Sequence, residues 1–397
     1  MTTELASSGR EGIEVPAAGS AVPIESPPYW RLLSPDGSEF VPATAWLLQT
    51  YANDNSRNTI RAYGLSLLRF MRYLWAIGVP WDRAREVDVR DFVLWGRRAD
   101  KFVGRRREPA PRSGVNIITG KANQTSKYSP STINLTLTAV GEFYEFHRQR
   151  QAGPIINPVP GAGERRHPHH RPDDPYPVFR RGQLRQKEPI RDPRAIPDDK
   201  FDELFRRLGT NRDRALVAFY VSSGARATEL LGLTGDRVNY GDQMIGVIRK
   251  GGQLRWLPAA PQAFVWLRLY QVERGVARRD QPVWLTSREP YRQMSYDTFR
   301  SVLNRANRVL HTNWSTHDLR HTFAIRALEG GMPLHILQNL LDHASLETTT
   351  IYARPRPEEV VAHHRATFSR SQGDDSGGIP VSYDPGELDS LFGGRES

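Results

Sequence analysis

The chain has 397 residues, 55 Lys plus Arg against 44 Asp plus Glu, a net charge of +11 and no cysteine. That length implies two or three domains, and the missing cysteine excludes disulfides, thiolate metal sites and a thiol nucleophile. Hydrophobic residues at 38% and aromatics at 10% are too many for a wholly disordered chain.

Residues 1–37 carry five acids against two bases and are rich in Ser, Pro, Gly and Ala, so they read as a flexible arm. Helical signals begin near Thr44. Ser56 is placed to cap a helix whose buried stripe is Ile60, Tyr63, Leu67, Met71 and Leu74, with Gly78 at its end. A shorter helix is expected over Val87 to Trp95. Ser129-Pro130-Ser131-Thr132 is a start signal for another, with Ile133, Leu137, Val140 and Tyr144 on one face. Residues 38–158 therefore read as an all-helical domain. It is interrupted by an insertion at about 97–128 that holds nine Arg and Lys residues with little apolar periodicity, suited to a phosphate backbone or to a solvated loop.

Residues 159–195, rich in Pro, Arg and His, read as a basic tether, and this includes the run Arg165-Arg166-His167-Pro168-His169-His170-Arg171. A second, mixed domain spans 196–368. Asp213 to Ser223 reads as a helix stopped by Gly224, followed by a short helix from Ala227 to Leu231. Met244 to Ile248 and Leu254 to Leu257 read as two strands joined by a turn. Helices follow near 261–273, 296–309, 317–329 and 333–341. The last segment, 369–397, is an acidic tail: residues 371–397 hold six acids against one base. Asp384-Pro385 with Glu387 is a helix start, and Leu388, Leu391 and Phe392 give one apolar face, the pattern of a short helix that needs a groove.

The acidic ends leave residues 38–370 with an excess of nineteen positive charges, which points to a polyanion and most simply to nucleic acid. The longest apolar run, Ala215 to Val221, is far too short to span a bilayer, and no signal peptide is present, so a cytoplasmic protein is expected.

Four segments of the second domain share chemistry-bearing residue types. Arg226 follows the helix-ending Gly224. Lys250 sits at a hairpin tip. His317 and Arg320 are three apart, on one helix face. His343 precedes Tyr352 by nine residues. Singly, each reads as an ordinary surface or core residue. Together, in this order and spacing, they resemble the tyrosine recombinases, or phage-type integrases, with a Xer-like helical pattern and Asn157-Pro158-Val159 closing the first domain. The resemblance covers nearly all of 40–365 and is strongest over HDLRHTFAIRALEGGMPLHILQNLLDHASLETTTIYARP, from His317 onward.

The resemblance implies a mainly α fold with a small β-sheet: an all-helical SAM-like core-binding domain and a mixed α/β catalytic domain. It implies Tyr352 as nucleophile toward a DNA phosphate, with Arg226 and Arg320 bearing the transition-state charge. His317 would bind the phosphate or help deprotonate Tyr352, His343 would complete the phosphate clamp, and Lys250 would protonate the leaving oxygen. Glu229 would orient Arg226 or its helix. No metal, cofactor or ATP is required. The partners implied are duplex DNA, further copies of the chain in a synaptic tetramer, and a partner recombinase or accessory DNA-binding protein, in a cytoplasmic, nucleoid-associated setting. The arm and the insertion tilt the reading toward a mobile element, against chromosome-dimer resolution or a silent DNA-binding accessory. Asp342 departs from the family pattern, which usually has glycine before the histidine; a carboxylate there would raise the pKa of His343 or hydrogen-bond it.

Overall fold

In the computed structural model the described residues are 13–102, 114–123, 125–161, 182–188, 194–249, 251–342 and 352. They fall into two compact units, Met1–Arg191 and Asp192–Ser397. Among the described residues no helix is long and apolar enough to cross a membrane.

In the first unit, a hairpin of β1 (Ser20–Pro23) and β2 (Trp30–Leu33) precedes four helices, α1 (Val41–Ala52), α2 (Arg57–Ala76), α3 (Glu86–Arg98) and α4 (Pro130–Arg148). The strands are antiparallel, with Ser20 opposite Leu33 and Pro23 opposite Trp30. Helix α2 begins where expected, because the Ser56 hydroxyl accepts the Thr59 N–H at 3.2 Å. Ser129 caps α4 in the same way through the Thr132 N–H, also at 3.2 Å. The buried stripes of α2 and α4 meet in an aromatic core of Trp46, Phe70, Tyr73, Phe92, Phe143 and Tyr144.

Two segments depart from the expected arm and tether. Within 1–37, the described residues from Ile13 onward pack on the helices instead of standing free: Leu32 is fully buried in the α-helical core. The cause is long-range, since Arg72 on α2 donates to the carbonyls of Ala18 at 2.6 Å and Gly19 at 2.9 Å. Within 159–195, residues 182–188 are pinned to α4. Asn134 accepts the Gln186 N–H at 2.7 Å and donates to the Gln186 carbonyl at 3.0 Å, mimicking one rung of a β-ladder. The Arg/His run at 165–171, part of the insertion and the whole acidic tail lie outside the described residues.

The second unit runs α5 (Asp198–Arg206), α6 (Asn211–Ser223), α7 (Ala227–Leu231), β3 (Val238–Asn239), β4 (Met244–Ile248), β5 (Leu254–Pro258), α8 (Pro261–Arg274), α9 (Tyr296–Leu310), α10 (Thr316–Glu329) and α11 (Leu334–Leu341). The three strands form one antiparallel sheet in the order β3-β4-β5, with Ile245 opposite Leu257. This is the expected mainly α fold with a small sheet; β3, only two residues long, is too short to leave an alternating pattern in the sequence. Helix α6 is the central element, packed against α8 and α10. Its Leu216, Phe219 and Tyr220 are buried with Trp284 and Phe299.

Both ends of α6 are specified locally. Thr210 caps the start by accepting the Asp213 N–H at 3.1 Å. Gly224 ends it at φ 64°, and a Cβ there would lie 2.3 Å from the Phe323 ring of α10. Glycine is thus required twice, for left-handed backbone and for close approach. Helix α10 starts at Ser315, whose backbone N–H and hydroxyl both donate to Asp318, at 2.6 and 2.7 Å.

Candidate functional site

Three chain turns converge in the second unit: the α6–α7 turn, the first turns of α10, and the end of α11. Arg226 caps α7. Its backbone N–H donates to Glu229 at 2.8 Å and its Nη1 to the other oxygen of the same carboxylate at 2.9 Å. Glu229 is buried, so it fixes both the helix start and the guanidinium.

Arg320 comes from the second turn of α10 and is buried. Its Nη1 donates to the Gly224 carbonyl at 2.6 Å, and its Nη2 donates to the Leu341 carbonyl. One side chain therefore ties the end of α6 to the end of α11. Burial pushes its pKa down to about 10, and the neighbouring positive charge of Arg226 adds to this, partly offset by Glu229 and Tyr352. At neutral pH it keeps its charge.

Tyr352 packs against the small cluster of Phe323, Ala324, Leu337 and Leu341. Its hydroxyl lies 2.9 Å from Nδ1 of His321. Burial raises the phenol above its ordinary range, and the charge of Arg320 works in the opposite direction. His317, one turn earlier on the same helix, is exposed, and its ring centre is 6.2 Å from that of His321.

The structure thus brings Arg226, Arg320 and Tyr352 together, with His317 at the margin. Lys250 and His343 lie outside the described residues. Two residues went unnoticed in the sequence. His321 is one: it sits at i+4 from His317, a spacing that puts both rings on one face. Arg249 is the other, and no local pattern distinguishes it from the turn it begins. It is buried, and its Nη2 donates to the Leu340 carbonyl at 2.9 Å.

The partner expected for Asp342, His343, lies outside the described residues, and among the described ones Asp342 faces two arginines. It ends α11 at φ 54°, ψ 50°, the left-handed conformation that favours glycine. Aspartate is among the few side chains that tolerate it. Its Oδ2 accepts from Arg226 Nη1 at 2.9 Å and lies 2.8 Å from Arg249 Nη1, and its carbonyl accepts from Arg226 Nη2 at 3.1 Å. Among the described residues the carboxylate pairs with two arginines.

Residues 196–359, which include every one of these groups, match the model of the phage integrase family. The match assigns that domain to the family. The chain is similar to the tyrosine recombinase XerD of Pseudomonas putida, at 36% identity over 162 residues, 38% of this chain and 54% of that protein. It is also similar to XerC of Pelobacter propionicus, at 38% identity over 146 residues, 36% of this chain and 47% of that protein. The chain spans about half the length of the curated relatives it matches. Among solved structures, the fold is similar to that of the Tn1549 transposon integrase in complex with a circular intermediate DNA. That likeness has a TM-score of 0.56 at 14% identity and covers 82% of this chain and 99% of that one. The XerH site-specific recombinase bound to its difH substrate gives 0.51 at 15% identity, covering 82% of this chain and 87% of that one.

Proposed function

We propose that this chain is a site-specific DNA recombinase that cuts and rejoins duplex DNA through a 3′-phosphotyrosyl intermediate, serving a mobile element in integration or transposition. The observation that carries the reading is the Tyr352 hydroxyl, held 2.9 Å from a histidine nitrogen beside the buried Arg320. An exposed or core tyrosine has no need of such company.

In this reading the Tyr352 oxygen forms a bond to the scissile phosphorus, and the bond from phosphorus to the 5′-oxygen breaks. The phenolic proton passes to His321, and the departing 5′-oxygen takes a proton from Lys250. Phosphoester energy is conserved in the tyrosyl bond, so rejoining is the same step reversed and needs no ATP. Arg226 and Arg320 carry the extra negative charge on the non-bridging oxygens, each through aligned N–H donors that stay charged. With two guanidinium groups in place, no metal is needed for that task. His317, exposed at the start of α10, is left to contact a phosphate oxygen, and His343 is assigned to the clamp by its match to the family motif. Duplex DNA is the substrate, and the basic body of the chain supplies its non-specific attraction. Strand exchange further requires self-association into a synaptic tetramer.

The test is a nicked suicide duplex built from the DNA ends flanking the gene, resolved on a denaturing gel with excess chelator present. The wild type should form a covalent adduct and Tyr352→Phe none, while both bind the duplex. An undiminished adduct from Tyr352→Phe, or loss of the adduct on chelation, overturns the reading. No adduct at all would leave a DNA-binding accessory protein. The XerC and XerD relatives favour a second reading, chromosome-dimer resolution; recombination at a chromosomal site and not at the flanking ends would decide for it.

A further inference from the structure

The mechanism proposed above leaves one pairing unused. It assigns Arg226 to a phosphate, yet two N–H donors of Arg226 rest on Asp342. We infer that Asp342 is a built-in counter-anion for the arginines of the site: its carboxylate occupies the place of a phosphate oxygen between Arg226 and Arg249 and must yield when a DNA phosphate enters. The inference rests on the recombinase reading and adds a regulatory element to it.

Three observations lead here. The first is the geometry. Nη1 and Nη2 of Arg226, the paired end of the guanidinium that grips a phosphate, are the two atoms engaged by Asp342. The second is Arg249. It is buried, burial lowers its pKa, and neither its Nε nor its Nη1 makes a well-directed hydrogen bond among the described residues. Its Nη1 nonetheless lies 2.8 Å from Asp342 Oδ2. A buried guanidinium with donors to spare is a seat for an anion, and Asp342 is the anion that reaches it. The third is the backbone. Asp342 sits at φ 54°, where glycine would be at ease. Aspartate tolerates that backbone and adds the carboxylate that glycine would lack.

The groups are arranged so that release is cheap. Asp342 and Arg226 are each more than a third exposed, at 42% and 37%, so their pairing is screened by water and weak. Glu229, by contrast, is buried and keeps hold of Arg226 when Asp342 lets go. Removing the Asp342 charge leaves Arg226, Arg249 and Arg320 with Glu229 as their carboxylate among the described residues, a more positive site. A phosphate then binds without a competitor.

The experiment titrates inorganic phosphate into the full-length chain at low ionic strength and follows heat release. Three proteins are compared: wild type, Asp342→Asn and Asp342→Gly. Asparagine keeps the shape and tolerates the same backbone; glycine removes the strain as well. Both variants should bind phosphate about threefold to tenfold more tightly than wild type, the size expected for one partly screened charge. Adding Arg226→Ala should abolish the gain. Equal affinity in wild type and Asp342→Asn, no measurable binding by Asp342→Asn, or a gain confined to Asp342→Gly would overturn the inference. The readout does not involve Tyr352. Tighter phosphate binding without any DNA adduct leaves the counter-anion standing and removes the recombinase reading. A Tyr352 adduct with unchanged phosphate affinity does the reverse.

Discussion

Arg226 and Arg320 would do the same chemical work from opposite kinds of seat. Arg320 is sunk into the fold, with two backbone carbonyls, those of Gly224 and Leu341, as its partners. Arg226 is more than a third exposed and is held by two carboxylates, Glu229 and Asp342. Carbonyls belong to the architecture and cannot leave without unfolding it, whereas carboxylates on side chains can swing away. On the proposed reading one arginine would be part of the scaffold and also bind, and the other would be a ligand-binding group that the scaffold merely holds. The difference teaches that residues with equal standing in a motif need not carry equal structural weight.

The sharpest way to test this contrast is to truncate each arginine and measure stability apart from activity. Arg320→Ala should destabilise the second unit by about 3 kcal/mol, because it strands two carbonyls and opens a cavity, and should lower the midpoint in urea accordingly. Its adduct yield should also vanish. A smaller but related loss is expected from Gly224→Ala. It places a Cβ against the Phe323 ring at 2.3 Å and in left-handed backbone, so about 2 kcal/mol should be lost, with α10 displaced. Arg226→Ala should cost less than about 1 kcal/mol of stability while slowing adduct formation on the order of a hundredfold, the loss typical of one charge-stabilising donor. If Arg226→Ala melts as early as Arg320→Ala, the contrast between the two seats is gone.

A finer test concerns the proton. Burial holds the Tyr352 hydroxyl above its ordinary pKa, so the reactive phenolate becomes scarcer as pH falls, and Arg320 only partly corrects this. Replacing His321 by asparagine removes the proton acceptor seen beside the hydroxyl among the described residues. The adduct rate of His321→Asn should then climb more steeply than that of wild type between about pH 7 and pH 9, approaching tenfold per unit. Parallel profiles would return the base to His317. Smallest of all, Arg326→Ala removes an exposed ion pair with Asp198 and should change stability by no more than about 0.5 kcal/mol.

Much of this was visible in the chain before folding. Helices α2, α4 and α10 announce themselves, because a capping residue and an apolar stripe are both written within a few residues of one another. The same holds for Gly224 at the end of α6. Arg226, Arg320, His317 and Tyr352 could be named because their spacing forms a motif. What stayed hidden depends on contacts far apart in the chain. The hairpin at 20–33 reads as an unstructured arm until Arg72, some fifty residues on, supplies donors for Ala18 and Gly19. Residues 182–188 read as a tether until Asn134 offers them a rung. The arginine partners of Asp342 stay hidden for the same reason: they arrive from turns more than ninety positions earlier.

The hydrogen bond from Arg320 to the Gly224 carbonyl has a consequence for how the site breathes. Helix α7 has only five residues, too few to persist alone, and its amides would ordinarily exchange with solvent through fraying. Its entry turn is latched to the interior of α10, so the two must open as one cooperative block. Amide exchange at 227–231 should therefore run at the slow pace of α10, and Arg226 keeps time with the long helix behind it rather than the short one it begins.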